Sequence, residues 1–182
     1  MGPVNHLEEV VLDLERHSAE KGWDAAPSLY ALVRSGALRQ AEPGIADQLP
    51  TDLDALVPVE QDALPELHDL EKALTGIVWP ETVDGCALVI ERVILPADIE
   101  AEVPADPAEA EAFVGNHPAR EDVRMVIGVL RDGARLSAIR MRSHDSDDAV
   151  LTGAELVRDL PEALAATFEP DEPGEPGDAA GG

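Results

Sequence analysis

The sequence predicts an α+β fold, with an antiparallel sheet of about four strands and helices packed mainly on one face. Residues 86–95 and 123–141 form apolar runs rich in Val and Ile, as expected of strands. The Asp132-Gly133 pair within the second run is typical of a β-hairpin turn. Helical patterns flank these runs but do not separate every pair of strands, so a parallel βαβ arrangement is not favoured.

An N-terminal helical segment is predicted before the sheet. Apolar residues recur at three- and four-residue steps between positions 4 and 20, which predicts an amphipathic helix that ends at Gly22. With Asp24 as its N-cap, a second helix is expected to continue to Gly36. Prolines make residues 42–65 a loop, and a third helix is expected at about 68–74.

The sheet and its covering helices follow. Prolines end the first two strands, and Asp106 followed by Pro107 marks the start of a short helix. The predicted elements are a short strand at 77–79, a central strand at 86–95, a helix at 106–115, hairpin strands at 123–130 and 135–141, and a helix from 153 to 168.

A single domain is expected from residue 1 to residue 168. Within it, residues 1–75 are predicted to be mainly helical, residues 76–150 to form the sheet, and residues 151–168 to form a helix. Residues 169–182 are rich in Pro, Gly and acidic side chains without an apolar anchor, which predicts a disordered acidic tail.

Composition narrows the location and the partners. The formal net charge of −25 disfavours binding to nucleic acid or to anionic membranes, because long-range repulsion opposes both. The single cysteine, Cys86, fits a reducing compartment, and the amino terminus lacks a secretory pattern, so we expect a cytoplasmic protein. No apolar run approaches the ~20 residues that a membrane-spanning helix needs.

The hairpin register decides which polar side chains meet at the open end of the sheet. A two-residue turn at residues 132–133 would place Arg140 opposite Met125. Extended further, the same register brings the segments that contain His117 and His144 to one end of the sheet.

One interpretation of this end is a binding surface of five arginines. Residues 116–142 carry six arginines and three acidic residues, so a locally basic hairpin lies within an acidic chain and could orient an acidic partner. Glu91, within an apolar strand, needs a partner if it is buried, and Arg124 on the neighbouring strand is the expected ion-pair partner. The predicted surface consists of Arg92, Arg120, Arg124, Arg140 and Arg142.

The alternative interpretation is a metal-dependent hydrolase or a metal-binding protein. Histidine and aspartate together suit zinc, iron or manganese, and the candidate ligands are His117, His144, Asp145 and Asp147. The spacings of known metal motifs are missing, and aspartates at 145–148 are also typical of a turn that pairs with arginines.

No catalytic residue and no cofactor is predicted. The chain has no G-x-S-x-G elbow, no G-x-G-x-x-G loop and no P-loop. We therefore expect a non-enzymatic protein-binding or chaperone-like module, acting on an unknown protein partner or as a homodimer, without nucleic acid or membrane.

Four long blocks of the sequence carry a family resemblance over about Leu7 to Phe168. They are GWDAAPSLYALVRSGALRQAEP, IVWPETVDGCALVIERVILP, HPAREDVRMVIGVLRDG and RMRSHDSDDAVLTGAELVRDLP. With them the chain resembles an actinobacterial family of uncharacterised cytoplasmic proteins. That resemblance implies lineage, location and a single domain, and it transfers no activity. The order of elements is also similar to that of small α+β secretion-chaperone-like proteins, an analogy of fold alone.

Overall fold

One antiparallel sheet of six strands organises the computed structural model, which describes residues 5–61, 74, 77–157 and 159–168. The strands lie in the order β2-β1-β3-β4-β5-β6. In chain order the elements are α1 (His6–Lys21), β1 (Ser28–Arg34), α2 (Ser35–Ala41), β2 (Leu56–Glu60), β3 (Val83–Ile94), α3 (Ala97–Glu100), α4 (Pro107–Asn116), β4 (Glu121–Leu130), β5 (Arg135–Met141), β6 (Leu151–Gly153) and α5 (Leu160–Ala166).

The α+β class and the antiparallel sheet are confirmed, whereas the strand count of about four is wrong. Three strands were not predicted. β1 and β2 come from the segment expected to be mainly helical, and β6 occupies the start of the helix expected at 151–168, of which only Leu160–Ala166 is α-helical. β1 replaces the helix predicted after Asp24, because its apolar residues are buried on both faces and leave no helical periodicity to recognise. β2 lies in the predicted loop, with Pro58 tolerated because β2 is an edge strand.

Other boundaries agree more closely with the sequence. The first helix, the central strand, the helix capped by Asp106 and the hairpin strands all form within a few residues of their predicted limits. Residues 77–79 form no strand. Leu74 is buried in the core, but the rest of the helix expected at 68–74 and the predicted tail at 169–182 lie outside the described residues.

Helices cover both faces of the sheet, rather than mainly one. On the first face, α1 packs its apolar stripe of Leu7, Val10, Val11 and Leu14 against the sheet. On the second face, Leu160 and Leu164 of α5 pack against alternate residues of β3, β4 and β5. Each strand therefore contributes its odd residues to one core and its even residues to the other. Among the described residues, no helix has the length and apolar character needed to cross a membrane.

The β4–β5 turn contains three residues, not two. The amide of Leu130 donates to the Ala134 carbonyl over 2.8 Å, and the amide of Gly133 donates to the Leu130 carbonyl over 2.9 Å. Gly133 has a φ of 97°, a left-handed conformation that glycine adopts without a steric penalty. A turn followed by one left-handed residue is the three-residue hairpin loop, and it uses the same Asp-Gly pair.

This longer turn shifts the hairpin register by one residue. Arg140 lies opposite Arg124, not opposite Met125 as predicted. Because side chains alternate between the faces, a shift of one residue changes which neighbours a side chain meets. Arg140 and Arg124 thus both lie on the face that α1 covers.

Candidate functional site

Polar and charged side chains collect at one end of the sheet, on the face covered by α1. The end of β3, the start of β4 and the end of β5 meet there. The last turns of α1, the loop at 22–27 and the loop at 142–149 close over them. We call this group the polar cluster: Glu15, Trp23, Asp24, Glu91, Arg124, Arg140, Arg142, Asp145 and Asp147.

Arg140 is the centre of the cluster. Its side chain is 3% exposed and that of Glu15 is 2% exposed, and the two groups form a double hydrogen bond. Arg140 also donates to Asp145 over 2.9 Å and to Asp147 over 2.5 Å. One buried guanidinium therefore ties α1 to β5 and to the loop that follows it. Its bond to the Glu15 carboxylate raises the pKa of Arg140 above the ordinary arginine value.

Arg124 lies beside Arg140 but has different partners. It is 1% exposed, and its Nη2 donates to the carbonyl of Gly22. Its guanidinium carbon lies 4.4 Å from the centre of the Trp23 ring, a cation–π contact. The expected partner, Glu91, is directly opposite on β3, yet its carboxylate accepts the amides of Asp24 and Ala25 over 2.8 and 2.6 Å. The predicted Glu91–Arg124 ion pair is therefore replaced by contacts of both residues to the 22–27 loop.

Trp23 links this loop to the other side of the cluster. Its indole nitrogen donates to Asp145 over 3.0 Å, while Arg142 lies 5.5 Å from the ring centre. The indole hydrogen bond, followed by the bond from Arg140, lowers the pKa of Asp145. Arg142 also pairs with Asp24 over 3.2 Å, and this contact raises the pKa of Arg142. The sequence predicts Asp24 as a helix N-cap. Instead, Asp24 lies in the 22–27 loop with a φ of 67°, a strained left-handed conformation.

The five arginines predicted as one binding surface do not form one. Arg124 and Arg140 are buried, because they lie opposite each other on the face of the sheet that α1 covers. Arg142 is half-exposed and engaged with Asp24. Arg92 and Arg120 are exposed, and Arg120 donates to the Gly115 carbonyl. Two of the five are therefore available as surface charges.

The candidate metal ligands are engaged separately. Asp145 and Asp147 both accept hydrogen bonds from Arg140. His117 accepts the amide of Ala119 through Nδ1 over 3.0 Å and contacts the Phe113 ring. His144 Nδ1 lies 2.9 Å from the Ser143 hydroxyl. Within the part of the chain that the structure describes, no group of three or more His, Cys, Asp or Glu side chains is placed to hold a metal ion.

Sequence reasoning missed Glu15 and Trp23. A signal for Glu15 exists, since it lies four residues after Val11 and interrupts the apolar stripe of α1. An acidic residue at a core-facing helix position needs a buried cation. For Trp23 the sequence carries no comparable signal, because its role depends on how the 22–27 loop folds back over β4.

A second feature lies next to the polar cluster. The chain between β3 and β4, residues 95–120, contains α3 and α4, and we call it the excursion. Wherever the exposure of its residues is described, they are half-buried or exposed. Val93 and Ile94, just before it, are 41% and 39% exposed. The half-buried apolar side chains of the excursion include Leu95, Ile99, Val103, Phe113 and Val114.

The end of β3 next to the excursion also has an open edge. β1 pairs with β3 only as far as Val89, whereas β3 continues to Ile94 with β4 on its other side. Among the described strands, none pairs with residues 90–94 from the β1 side. Alternate backbone groups there point away from β4.

The fold and these two features define a small α+β protein, in which a six-stranded antiparallel sheet carries a buried ion-pair network at one end. The chain belongs to the PPA1309-like protein family, whose model matches residues 7–169. Residues 7–169 nearly coincide with the stretch from Leu7 to Phe168 that carries the family resemblance in the sequence. Neither the curated proteins nor the solved structures yielded a match to the chain.

Proposed function

We propose that this protein is a non-enzymatic protein-binding or chaperone-like module, whose docking surface is the excursion together with the exposed end of β3. The observation that supports it is the set of apolar side chains in residues 93–120 without a buried residue among those described. Apolar patches at one site on a monomer mark interaction surfaces, whereas scattered single residues do not. The two exposed arginines of the predicted surface, Arg92 and Arg120, belong to this region.

Charge indicates what kind of partner fits. The excursion has six acidic residues against one arginine, a formal charge of −5. A partner with an apolar segment bordered by basic residues complements it, because opposite charges across a polar rim steer association. A homodimer through this surface would bring two such acidic patches together, so a different protein is favoured. The acidic partner expected from five arginines has less support, since two of them are buried.

Cytoplasmic location and actinobacterial origin are part of the same proposal. A single, fully buried cysteine suits a reducing compartment. Lys21 and Lys72 are the chain's two lysines, and this preference for arginine is typical of GC-rich genomes.

Site-specific photocrosslinking tests the docking surface. A photoreactive residue at position 114, in α4, should capture a stoichiometric partner from native lysate. The same residue at position 132, in the β4–β5 turn at the other end of the sheet, should capture none. The captured partner is then expressed and its affinity measured with purified components.

Phe113→Asp should weaken that affinity about 30-fold, since an aromatic anchor in an interface contributes ~2 kcal/mol. Val78→Asp is the matched control, because it changes an 81% exposed valine that precedes the start of β3. The excursion follows the other end of β3, and a strand of this length spans roughly 35 Å. Equal loss in both variants, or equal labelling from positions 114 and 132, would contradict the proposed surface.

A further inference from the structure

A small cavity lies beneath the 22–27 loop, between the last turn of α1 and β3. Its volume is about 30 Å³, and six of its ten lining residues have polar side chains. They are Ser18, Lys21, Ser28, Tyr30, Glu91 and Arg124. This Arg124 cavity is independent of the excursion and of the docking function proposed for it.

Arg124, which lines this cavity, has an unused hydrogen-bond donor. Its Nη2 bonds to the Gly22 carbonyl and its plane contacts Trp23, but Nη1 is buried without a hydrogen-bond partner. A buried donor left without an acceptor loses the full free energy of its hydration. For a charged group this penalty is larger than for a neutral one. An acceptor in the cavity removes it.

The charge of Arg124 is compensated without direct contact, by carboxylates such as that of Asp145. Among the described residues, no carboxylate forms a salt bridge with it within 4.0 Å. Glu91 lies across the strand pair, but both of its oxygens accept backbone amides of the 22–27 loop. The charged side chains of the lining are Lys21, Arg124 and Glu91, with a formal sum of +1. One further negative charge makes the cavity neutral.

We infer that the Arg124 cavity binds one small monovalent anion, of the size of chloride or formate. The anion accepts hydrogen bonds from Arg124 Nη1 and from the hydroxyl groups of Ser18 and Ser28. A volume of about 30 Å³ has room for one such ion. A water molecule in the same place would satisfy the donor but leave the formal charge of the lining at +1.

Nuclear magnetic resonance tests this site without a change to the protein. The chain has two tryptophans, so a spectrum of the indole N–H groups shows one signal for Trp23 and one for Trp79. Sodium gluconate is replaced stepwise by sodium chloride, or by sodium formate in a second titration, at constant sodium concentration. The Trp23 signal should shift along a saturating curve, while the Trp79 signal, on the opposite face of the sheet, should stay in place.

Variants and crystals decide whether the shift comes from the cavity. Ala26→Phe adds a ring at an exposed lining residue and should raise the anion concentration at the titration midpoint at least tenfold. Arg92→Gln changes an exposed arginine on the other face of β3 and should leave this midpoint unchanged. Crystals grown in sodium bromide should show one anomalous peak beside Arg124 Nη1. Three results would overturn the inference: a Trp23 signal that moves linearly or not at all, an unchanged midpoint in Ala26→Phe, and a cavity that holds only water or the Glu91 carboxylate.

Discussion

Removing either member of the Arg140–Glu15 pair should destabilise the protein, by unequal amounts. Arg140→Met leaves the Glu15 carboxylate, 2% exposed, without a cation, and should lower the free energy of unfolding by about 4 kcal/mol. Glu15→Met leaves Arg140 with Asp145 and Asp147, so we expect a loss of about 2 kcal/mol.

The double variant gives the sharper result. With both charges replaced by methionine, the buried volume is filled by apolar side chains, and no buried charge is left unpaired. Asp145 and Asp147 lose Arg140, but their side chains are 44% and 74% exposed and stay hydrated. A buried ion pair exchanged for packed apolar residues is often neutral in stability. The double variant should therefore lose no more than about 3 kcal/mol, which makes the two changes non-additive by about 3 kcal/mol.

Urea denaturation followed by circular dichroism measures these differences, provided that the slope of the transition stays constant. Arg142→Met is the control, because Arg142 and Asp24 form an ion pair with 45% and 78% exposed side chains, and the change should leave the free energy of unfolding nearly unaltered. If the single losses simply add in the double variant, the two side chains act independently. The buried pair would then not be the junction between α1 and the sheet.

Further outcomes follow from the same structure. Gly128→Ala should lower the free energy of unfolding by about 1–3 kcal/mol, since a Cβ there would lie 2.7 Å from Val11 and 2.9 Å from Leu7. Gly44→Ala, with open space around the glycine, should leave the urea denaturation curve nearly unchanged. The pKa of Asp145 is lowered from its usual 3.8 by Trp23 and then Arg140, so its stabilisation is present above that value and disappears as pH falls through the folded-state pKa. Asp145→Asn should therefore flatten the acid side of a plot of urea midpoint against pH, and parallel curves for variant and parent would refute the contact. For the metal alternative, elemental analysis of untagged protein should find far less than one equivalent; stoichiometric metal that is lost in His117→Ala and in His144→Ala would support the metal site instead of the binding module.

Local signals identified most of the fold, and their limits explain the errors. The hairpin was recognisable because an Asp-Gly pair supplies the left-handed glycine that a tight turn needs. Both two-residue and three-residue hairpin loops need such a glycine, so the pair does not fix the loop length. Only the completed ladder distinguishes them. A shift of one residue placed Arg140 opposite Arg124 instead of Met125. Arg140 is buried because α1 covers this face, a contact between distant segments that the hairpin alone does not reveal.

Strand β1 shows a second limit. A run with five successive buried residues has the same hydrophobicity on both faces, so neither helical nor alternating periodicity is visible in it. Its position between β2 and β3 depends on partners that are far away in the sequence. Of the polar side chains expected at one end of the sheet, Arg140, Arg142, Asp145 and Asp147 lie in the polar cluster. Trp23 and Asp24 belong to it through a loop conformation that local residue preferences do not encode.

The central place of β1 has a consequence for synthesis on the ribosome. Among the strands, β1 and β2 are the first to leave the ribosome. One edge of β1 then has no neighbour until β3, which ends at Ile94, has also left the exit tunnel. The outer edge of β2 is protected by Pro58, whose nitrogen cannot donate to an incoming strand. α1 precedes both strands and can shield one face of the nascent hairpin, where Tyr30 and Leu32 project. The period between completion of β2 and of β3 is therefore when the growing chain is most exposed to mispairing, and the helix made first limits that exposure to one face.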